Sequence, residues 1–481
     1  MDITTAQLSG KTREEHDLIG YMQVPEEYYF GVQTMRGMEN FHISRVRLSF
    51  FPEIIKALAD VKEAAALANR DLGLLDKKTA DAIVEACRMV RDGKFDDQFV
   101  VDMVQGGAGT STNMNANEVI ANIALELMGH KKGEYKYCHP NNHVNLSQST
   151  NDAYPTAMKI ALIRSIAKLE DSLKQLVEAF RAKGVEFADV IKMGRTQLQD
   201  AVPMTLGQEF EAYAANLSEE MERLEQNYKL FYEMNMGATA IGTGINADPD
   251  YPAICEKYLR EITGLPMVVA SNMIEATNDT GAFVMNSSAL KRLAVKLSKI
   301  CNDLRLLSSG PRCGLNEINL PPMQNGSSIM PGKINPVIPE VVTQVAFHVI
   351  GNDTTITMAA EAGQMELNAF EPVVFYSLFS SITSMTGAVN TLVKNCILGI
   401  TANEKRCEDL VSKSVGITTA LCPYIGYQKA ASIAKKSLKT GESVTSLVLK
   451  DELLTQKQLD DILDPYALTG PELPAEDNLA G

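Results

Sequence analysis

Through the middle of the chain, apolar residues recur in alternating steps of three and four. Phe210, Tyr213, Leu217, Met221, Leu224 and Tyr228 form one series, following Leu206. Met158, Leu162, Ile166, Leu169, Leu173, Leu176 and Phe180 form another. Leu290, Leu293, Leu297, Ile300, Leu304 and Leu307 lie close to a heptad seam, and a further run begins after Pro339 and continues towards Ala362. Such spacing places the apolar side chains on one face of an α-helix. Helices of this length need partners along the whole stripe, so a bundle is expected. The partners can come from this chain or from other subunits. An obligate oligomer is the favoured expectation, because the chain has few other elements to cover the seams.

The first 145 or so residues read as loops and shorter helices, for example Pro52 to Leu72 and Lys77 to Val90. After about Gly399 the pattern restarts at Ile400-Thr401-Ala402-Asn403. Short helical pieces follow at Gly426 to Lys436 and Val444 to Leu449. Gly470 to Gly481 is Pro-rich and acidic and is expected to fray. No internal repeat or low-complexity tract interrupts this order.

Composition narrows the partners. In 481 residues, 45 Lys and Arg stand against 60 Asp and Glu, a net charge of −15 with no basic block. Nucleic acid and anionic membrane are therefore not expected partners. No stretch reads as long enough to span a membrane, and Met1 to Gly20 has no apolar signal core. The eight cysteines (87, 138, 255, 301, 313, 396, 407 and 422) are scattered and form no Cys-x-x-Cys pair. Reduced cysteines in a cytoplasmic protein are expected. Cys138-His139-Pro140-Asn141-Asn142-His143 brings three metal-ligating side chains close together, but no second ligand cluster accompanies it, so no metal site is expected.

Four polar segments stand out from the helical background. Gly326-Ser327-Ser328-Ile329-Met330-Pro331-Gly332-Lys333-Ile334-Asn335-Pro336 must be a loop, since Gly and Pro disfavour helix and strand interiors. Its hydroxyls, ammonium and carboxamide suit a small anion. It lacks Gly-x-Ser-x-Gly and a nearby His, so its serine does not read as a triad nucleophile. A serine beside a lysine can instead act as a base, if cations and backbone amides stabilise its alkoxide. Gly106-Gly107-Ala108-Gly109-Thr110-Ser111-Thr112-Asn113 lets backbone amides approach a ligand, and reads equally well as a turn capping a helix from Asn117 to Met128. Ser147-Gln148-Ser149-Thr150-Asn151-Asp152-Ala153-Tyr154-Pro155 precedes a helix expected near Thr156. It carries more hydroxyl and amide groups than capping needs, at a helix end suited to carboxylates. Gly194-Arg195-Thr196-Gln197-Leu198-Gln199-Asp200-Ala201-Val202-Pro203 precedes the helix from Leu206. Arg195 and Asp200 are expected to form a structural pair, with Thr196 and Gln197 left as ligand candidates.

These segments, in this order on a helical background, resemble the aspartase/fumarase superfamily. Residues 326 to 336 look like its signature loop, and the resemblance runs from Tyr28-Tyr29-Phe30-Gly31-Val32-Gln33-Thr34 to about Leu463. Val337-Ile338-Pro339-Glu340-Val341-Val342 after the loop, and Gln197 where fumarases usually carry His, look like the aspartate ammonia-lyase branch. Fumarase, which differs in the leaving group, is the alternative, and a silent helical scaffold is a remote one.

The resemblance implies a mainly α, three-domain fold, with segments 1–147, 148–398 (bearing the loop 326–336) and 399–481. It also implies a homotetramer on a central bundle of about twenty helices, with active sites shared between subunits. The implied reaction is reversible deamination of L-aspartate to fumarate and ammonia. Ser327 would be the general base that removes the pro-R proton from Cβ. Thr110, Ser149, Thr150 and Ser328 would surround the β-carboxylate, and Thr196, Lys333 and Asn335 the α-carboxylate. Asn151, helped by Thr110 and Gln197, would face the amino group. No cofactor is required, and no ligand set for an activating divalent cation is visible in the sequence.

Overall fold

Long helices dominate the computed structural model, which describes residues 8–470. In chain order, the helices that matter here are α1 (Pro52–Asp71), α2 (Lys77–Arg91), α3 (Thr110–Leu127) and α4 (Thr150–Glu186). A hairpin of β1 (Ile191–Thr196) and β2 (Gln199–Thr205) leads into α5 (Leu206–Tyr228). It is followed by α6 (Gly281–Leu307), α7 (Val337–Glu361) and α8 (Glu371–Asn395). Each apolar series becomes one of these helices. The series on α4 and α6 are buried throughout, whereas on α5 Met221 and Tyr228 are only half-buried. The expected helices at Pro52 and Lys77 are α1 and α2. Gly470 apart, the terminal segment expected to fray lies outside the described residues.

Two helix starts differ from expectation. The helix after the Gly-rich segment begins at Thr110 rather than Asn117, and α4 begins at Thr150 rather than Thr156. In both cases the polar residues taken for a preceding turn lie inside the first turns of the helix. Helix α8 had no counterpart in the apolar series. Its stretch Glu371–Gly399 is long and apolar enough to cross a membrane, contrary to expectation, but 61% of its most apolar 18 residues is buried within the structure. Burial of this kind also marks the core helix of a bundle.

The chain falls into two compact units. One comprises Met1–Glu170, Glu222–Ala294 and Phe347–Thr386, the other Asp171–Met221, Val295–Ala346 and Gly387–Gly481. In the first, α1 buries Ile54, Ile55, Leu58 and Val61. Glu118 on α3 accepts hydrogen bonds from the amides of Gly31, Gln33 and Thr34 at 2.8–3.0 Å and from Thr34 Oγ1 at 2.6 Å. That buried carboxylate anchors the N-terminal segment where the family resemblance begins.

In the second unit, Met193 of the hairpin joins a core with Leu421, Ile433, Leu447 and Leu459 from the C-terminal helices. The hairpin is antiparallel, with Thr196 opposite Gln199. Its two-residue tip, Gln197 and Leu198, has φ of 54° and 64°. Two left-handed residues in a row match the tight turn that follows the natural twist of a hairpin, a conformation that side chains other than Gly, Asn and Asp adopt at a cost.

Candidate active site

The sequence-predicted residues divide between the two units, and on the second they lie in two separate segments, the hairpin tip and the loop 326–336. On the first unit, Thr110 is the first residue of α3 and Ser149, Thr150 and Asn151 open α4. Gly109 makes the junction possible. Its φ is 92°, and a Cβ there would collide with the ring of Tyr154 on α4. Helix α4 starts with a reciprocal cap. Ser149 Oγ accepts the Asn151 amide at 3.2 Å, and Asp152 Oδ1 accepts the Ser149 amide at 2.9 Å. Pro155 has no N–H for the Asn151 carbonyl, and Asn235 Nδ2 takes it instead at 3.0 Å. The same segment donates the Gly237 and Thr239 amides to Asp152 Oδ2 at 3.2 and 3.0 Å. Burial pushes the Asp152 carboxyl up to about 7, against the pull of those amides.

Each hydroxyl and amide then has a defined capacity. Thr110 Oγ1 donates to the Gly107 carbonyl at 2.8 Å, so it offers lone pairs outward. Ser149 Oγ accepts an amide and keeps its proton for a ligand. Asn151 Nδ2 donates to the Ala240 carbonyl at 2.7 Å, which leaves its Oδ1 able to accept. Thr150 Oγ1 accepts from Asn113 Nδ2 at 3.1 Å. This group can therefore offer donors to a carboxylate and acceptors to an ammonium group side by side.

Beneath it lies a residue that sequence reading missed. Lys62 on α1 is fully buried, and its Nζ donates to Asn113 Oδ1 at 2.7 Å, Gln148 Oε1 at 2.8 Å and Asn145 Oδ1 at 3.0 Å. Burial draws its ammonium down to about 7, opposed by the Asp152 carboxylate. The available signal was a lysine on the same helical face as Leu58, Ala65 and Asn69.

On the second unit, Thr196 and Gln197 are exposed at the hairpin tip. The expected Arg195–Asp200 pair does not form. The two residues are opposite in the strand register, but Arg195 makes a two-pronged bond to Glu317, Nη2 to Oε1 at 2.8 Å and Nη1 to Oε2 at 3.0 Å. Asp200 instead accepts from Ser414 Oγ at 2.7 Å. Glu317 is fully buried and also has Lys192 Nζ at 3.5 Å, so two cations satisfy one carboxylate.

Residues 326–336 are a loop, as expected. Gly326 donates its amide to the Lys333 carbonyl at 2.9 Å, and a Cβ at Gly326 would collide with that oxygen. Asn335 Nδ2 closes the base of the loop on the Gly326 carbonyl at 2.6 Å. Ser327 Oγ accepts the amides of Ile329 at 3.2 Å and Met330 at 3.0 Å. Ser328 and Lys333 are exposed. A cleft of about 820 Å³ runs beside Lys333 and Asn335, lined also by Arg305 and Asn319.

At the Cys138–His143 segment, His139 Nδ1 accepts the Asn141 amide at 3.0 Å and His143 Nδ1 accepts the His139 amide at 2.7 Å. Among the described residues, no group of three or more His, Cys, Asp or Glu is placed to hold a metal ion.

A family profile described as "Lyase" matches residues 20–351, and one described as "Fumarase C C-terminus" matches residues 417–470. Aspartate ammonia-lyase of Helicobacter pylori is 59% identical, covering 95% of this chain and 98% of its own length. The aspartate ammonia-lyase of Escherichia coli K12 is 55% identical, covering 98% of each. Among solved structures, a fumarate lyase:delta crystallin from Brucella melitensis bound to cobalt superposes with a TM-score of 0.93 at 53% identity, covering 96% of this chain and 100% of that one. A class II fumarase from Schistosoma mansoni superposes with a TM-score of 0.91 at 35% identity, with the same coverage. With the polar segments, the helical fold and these relatives in agreement, the chain belongs to the aspartase/fumarase superfamily of lyases, in its aspartate ammonia-lyase branch.

Proposed function

We propose that this protein deaminates L-aspartate reversibly to fumarate and ammonia, with Ser327 as the base that removes the Cβ proton. The observation that carries the role of Ser327 is the pair of backbone amides aimed at its Oγ. Two N–H donors on one oxygen favour its anionic form, because charge-assisted hydrogen bonds are the stronger ones. An alkoxide so held can take a proton from carbon without a histidine partner. Positioned general bases of this kind contribute about 10²–10⁴-fold.

The proton removed lies next to a carboxylate, so the electron pair left on Cβ must spread into that group as an aci-carboxylate dianion. Thr150 and Ser149, with free hydroxyl protons, and Ser328 are the donors proposed for it, each worth about 3–4 kcal/mol by comparison with oxyanion-hole deletions. Thr110 and Asn151, which present acceptors, suit the amino group, and Gln197 is assigned to it as well. The Thr110 bond to Gly107 favours this role over donation to the β-carboxylate. Thr196, Lys333 and Asn335 are assigned to the α-carboxylate. When the C–N bond breaks, its electron pair leaves with nitrogen and the dianion collapses to fumarate. The Gly and Pro content of the loop suits a lid that excludes water as it delivers Ser327.

The homotetramer with shared sites belongs to the same proposal. Helices α6 and α7 leave Val295, Phe347 and Met358 exposed at 52%, 63% and 67%, a cost that neighbouring subunits would remove. A cytoplasmic location and a reaction needing no cofactor complete the reading. The test is to offer L-aspartate and L-malate separately and follow fumarate in the ultraviolet. Fumarate from L-aspartate is expected. Turnover of L-malate without turnover of L-aspartate would overturn the proposal in favour of a fumarase.

A further inference from the structure

We propose that Lys62, acting through Asn113, sets the direction of the Thr150 hydroxyl proton, so that Thr150 donates into the substrate site. The inference rests on the reading that Thr150 meets a substrate carboxylate. It assigns a positioning role to a lysine that touches no substrate.

The argument is one of donors and acceptors. In its ammonium form, which hydrogen bonds to three oxygens favour over the neutral amine, Lys62 has three protons and no lone pair. Lys62 is fully buried, and three amide oxygens surround its Nζ, those of Asn113, Gln148 and Asn145 at 2.7–3.0 Å. Each proton has its acceptor, and a group that only donates fixes which end of each amide faces it. Asn113 must therefore present Oδ1 to Lys62 and turn Nδ2 the other way. Nδ2 reaches Asn145 Oδ1 and Thr150 Oγ1, both at 3.1 Å. An amide nitrogen only donates, so Thr150 Oγ must accept this bond and point its own proton elsewhere. That proton finds no protein acceptor among the described residues. Thr150 is the first residue of α4, at the helix end where an anion is favoured. The chain of bonds from ammonium to amide to hydroxyl thus presents a donor, not a lone pair, to whatever lies beyond.

A lysine with a purely structural role would need the same three oxygens around it. It would not need the far end of Asn113 to meet Thr150. Asn113→Asp separates the two cases. A carboxylate at position 113 keeps an acceptor for Lys62 and adds an opposite charge beside it, which offsets the lost bond to Asn145. It cannot donate to Thr150. The hydroxyl proton would turn inward to the new carboxylate and lone pairs would face the substrate.

The experiment measures kcat/KM for L-aspartate and the melting temperature of the full chain. Its variants are Asn113→Asp, Lys62→Met, Thr150→Val, Thr150→Ser and the Asn113→Asp/Thr150→Val double. Thr150→Val should lower kcat/KM and Thr150→Ser should keep most of it. Asn113→Asp should melt near the native temperature yet lose about 100-fold in kcat/KM, the scale of one oxyanion donor. In the Thr150→Val background it should cost little more, because the two changes remove the same donor. Lys62→Met leaves three buried amide oxygens without their donor and so reads on folding, and Asn113→Asp decides. Native kcat/KM in Asn113→Asp, with Thr150→Val impaired, overturns the relay and leaves the carboxylate reading standing. A full, additive loss in the double variant also overturns the relay. Native activity in Thr150→Val overturns the carboxylate reading itself.

Discussion

Ser327 and Lys333 share one loop but differ in what the structure gives them. Ser327 Oγ is held by two backbone amides, so its chemistry is built into the turn. Lys333 is exposed and makes no ion pair among the described residues, as befits a cation waiting for an anion. Lys333→Ala should therefore raise the Michaelis constant for L-aspartate by about tenfold or more, in line with the worth of a charged hydrogen bond. An unchanged Michaelis constant would remove it from the α-carboxylate. Both residues were legible in the sequence because Gly and Pro isolate them from any helix. Lys62 was not. Nothing in its neighbours along the chain shows that Asn113, Asn145 and Gln148, from 51 to 86 positions away, close around it.

At the scale of elements, the long helices were readable from spacing alone, and so was the start of α5 at Leu206, but the starts of α3 and α4 were not. Ser, Thr and Asn favour caps, so runs of them before α3 and α4 read as turns. They enter the helices because distant groups satisfy them. Asn235 takes the carbonyl that Pro155 frees, and the Gln98 carbonyl and Lys62 Nζ pair with the side chains of Asn115 and Asn113 of α3. The hairpin shows the same limit. Spacing favoured Asp200 as the partner of Arg195, but Glu317, 122 residues on, takes the guanidinium. This pair joins the element bearing Thr196 and Gln197 to the segment that precedes the loop 326–336. Glu317→Gln would leave Arg195 without its carboxylate in a buried site, while Lys192 keeps Glu209 at 2.5 Å. It should cost about 3 kcal/mol, at the low end of the range for breaking a buried pair. Denaturant unfolding measures this, and a loss under about 0.5 kcal/mol, the scale of a neutral surface change, would contradict it.

For the whole molecule, the superfamily fold and the order of its four polar segments were legible. The apolar helix α8 was missed, although Phe375, Leu378, Ile382, Met385, Val389 and Leu392 repeat in the same steps of three and four and are all buried. Its first residue, Glu371, is buried with Oε2 unbonded among the described residues. Burial pushes this carboxyl from 4.5 up to about 8, with Lys159 opposing. The folded state therefore holds a proton that the unfolded chain gives up at lower pH. Its stabilising effect is full below about pH 4.5 and is lost as pH rises towards 8. Glu371→Gln should flatten the fall in melting temperature across that window. A slope identical to that of the native protein would show that Glu371 is ionised throughout.

The central claim is that an amide-stabilised Ser327 takes a proton from the Cβ of L-aspartate. The most direct test is the rate of fumarate formation from saturating L-aspartate by Ser327→Ala, compared with the native enzyme. A fall of about 10²–10⁴-fold, the range for removal of a general base, is predicted, with the fold retained. Turnover close to the native rate would contradict the account.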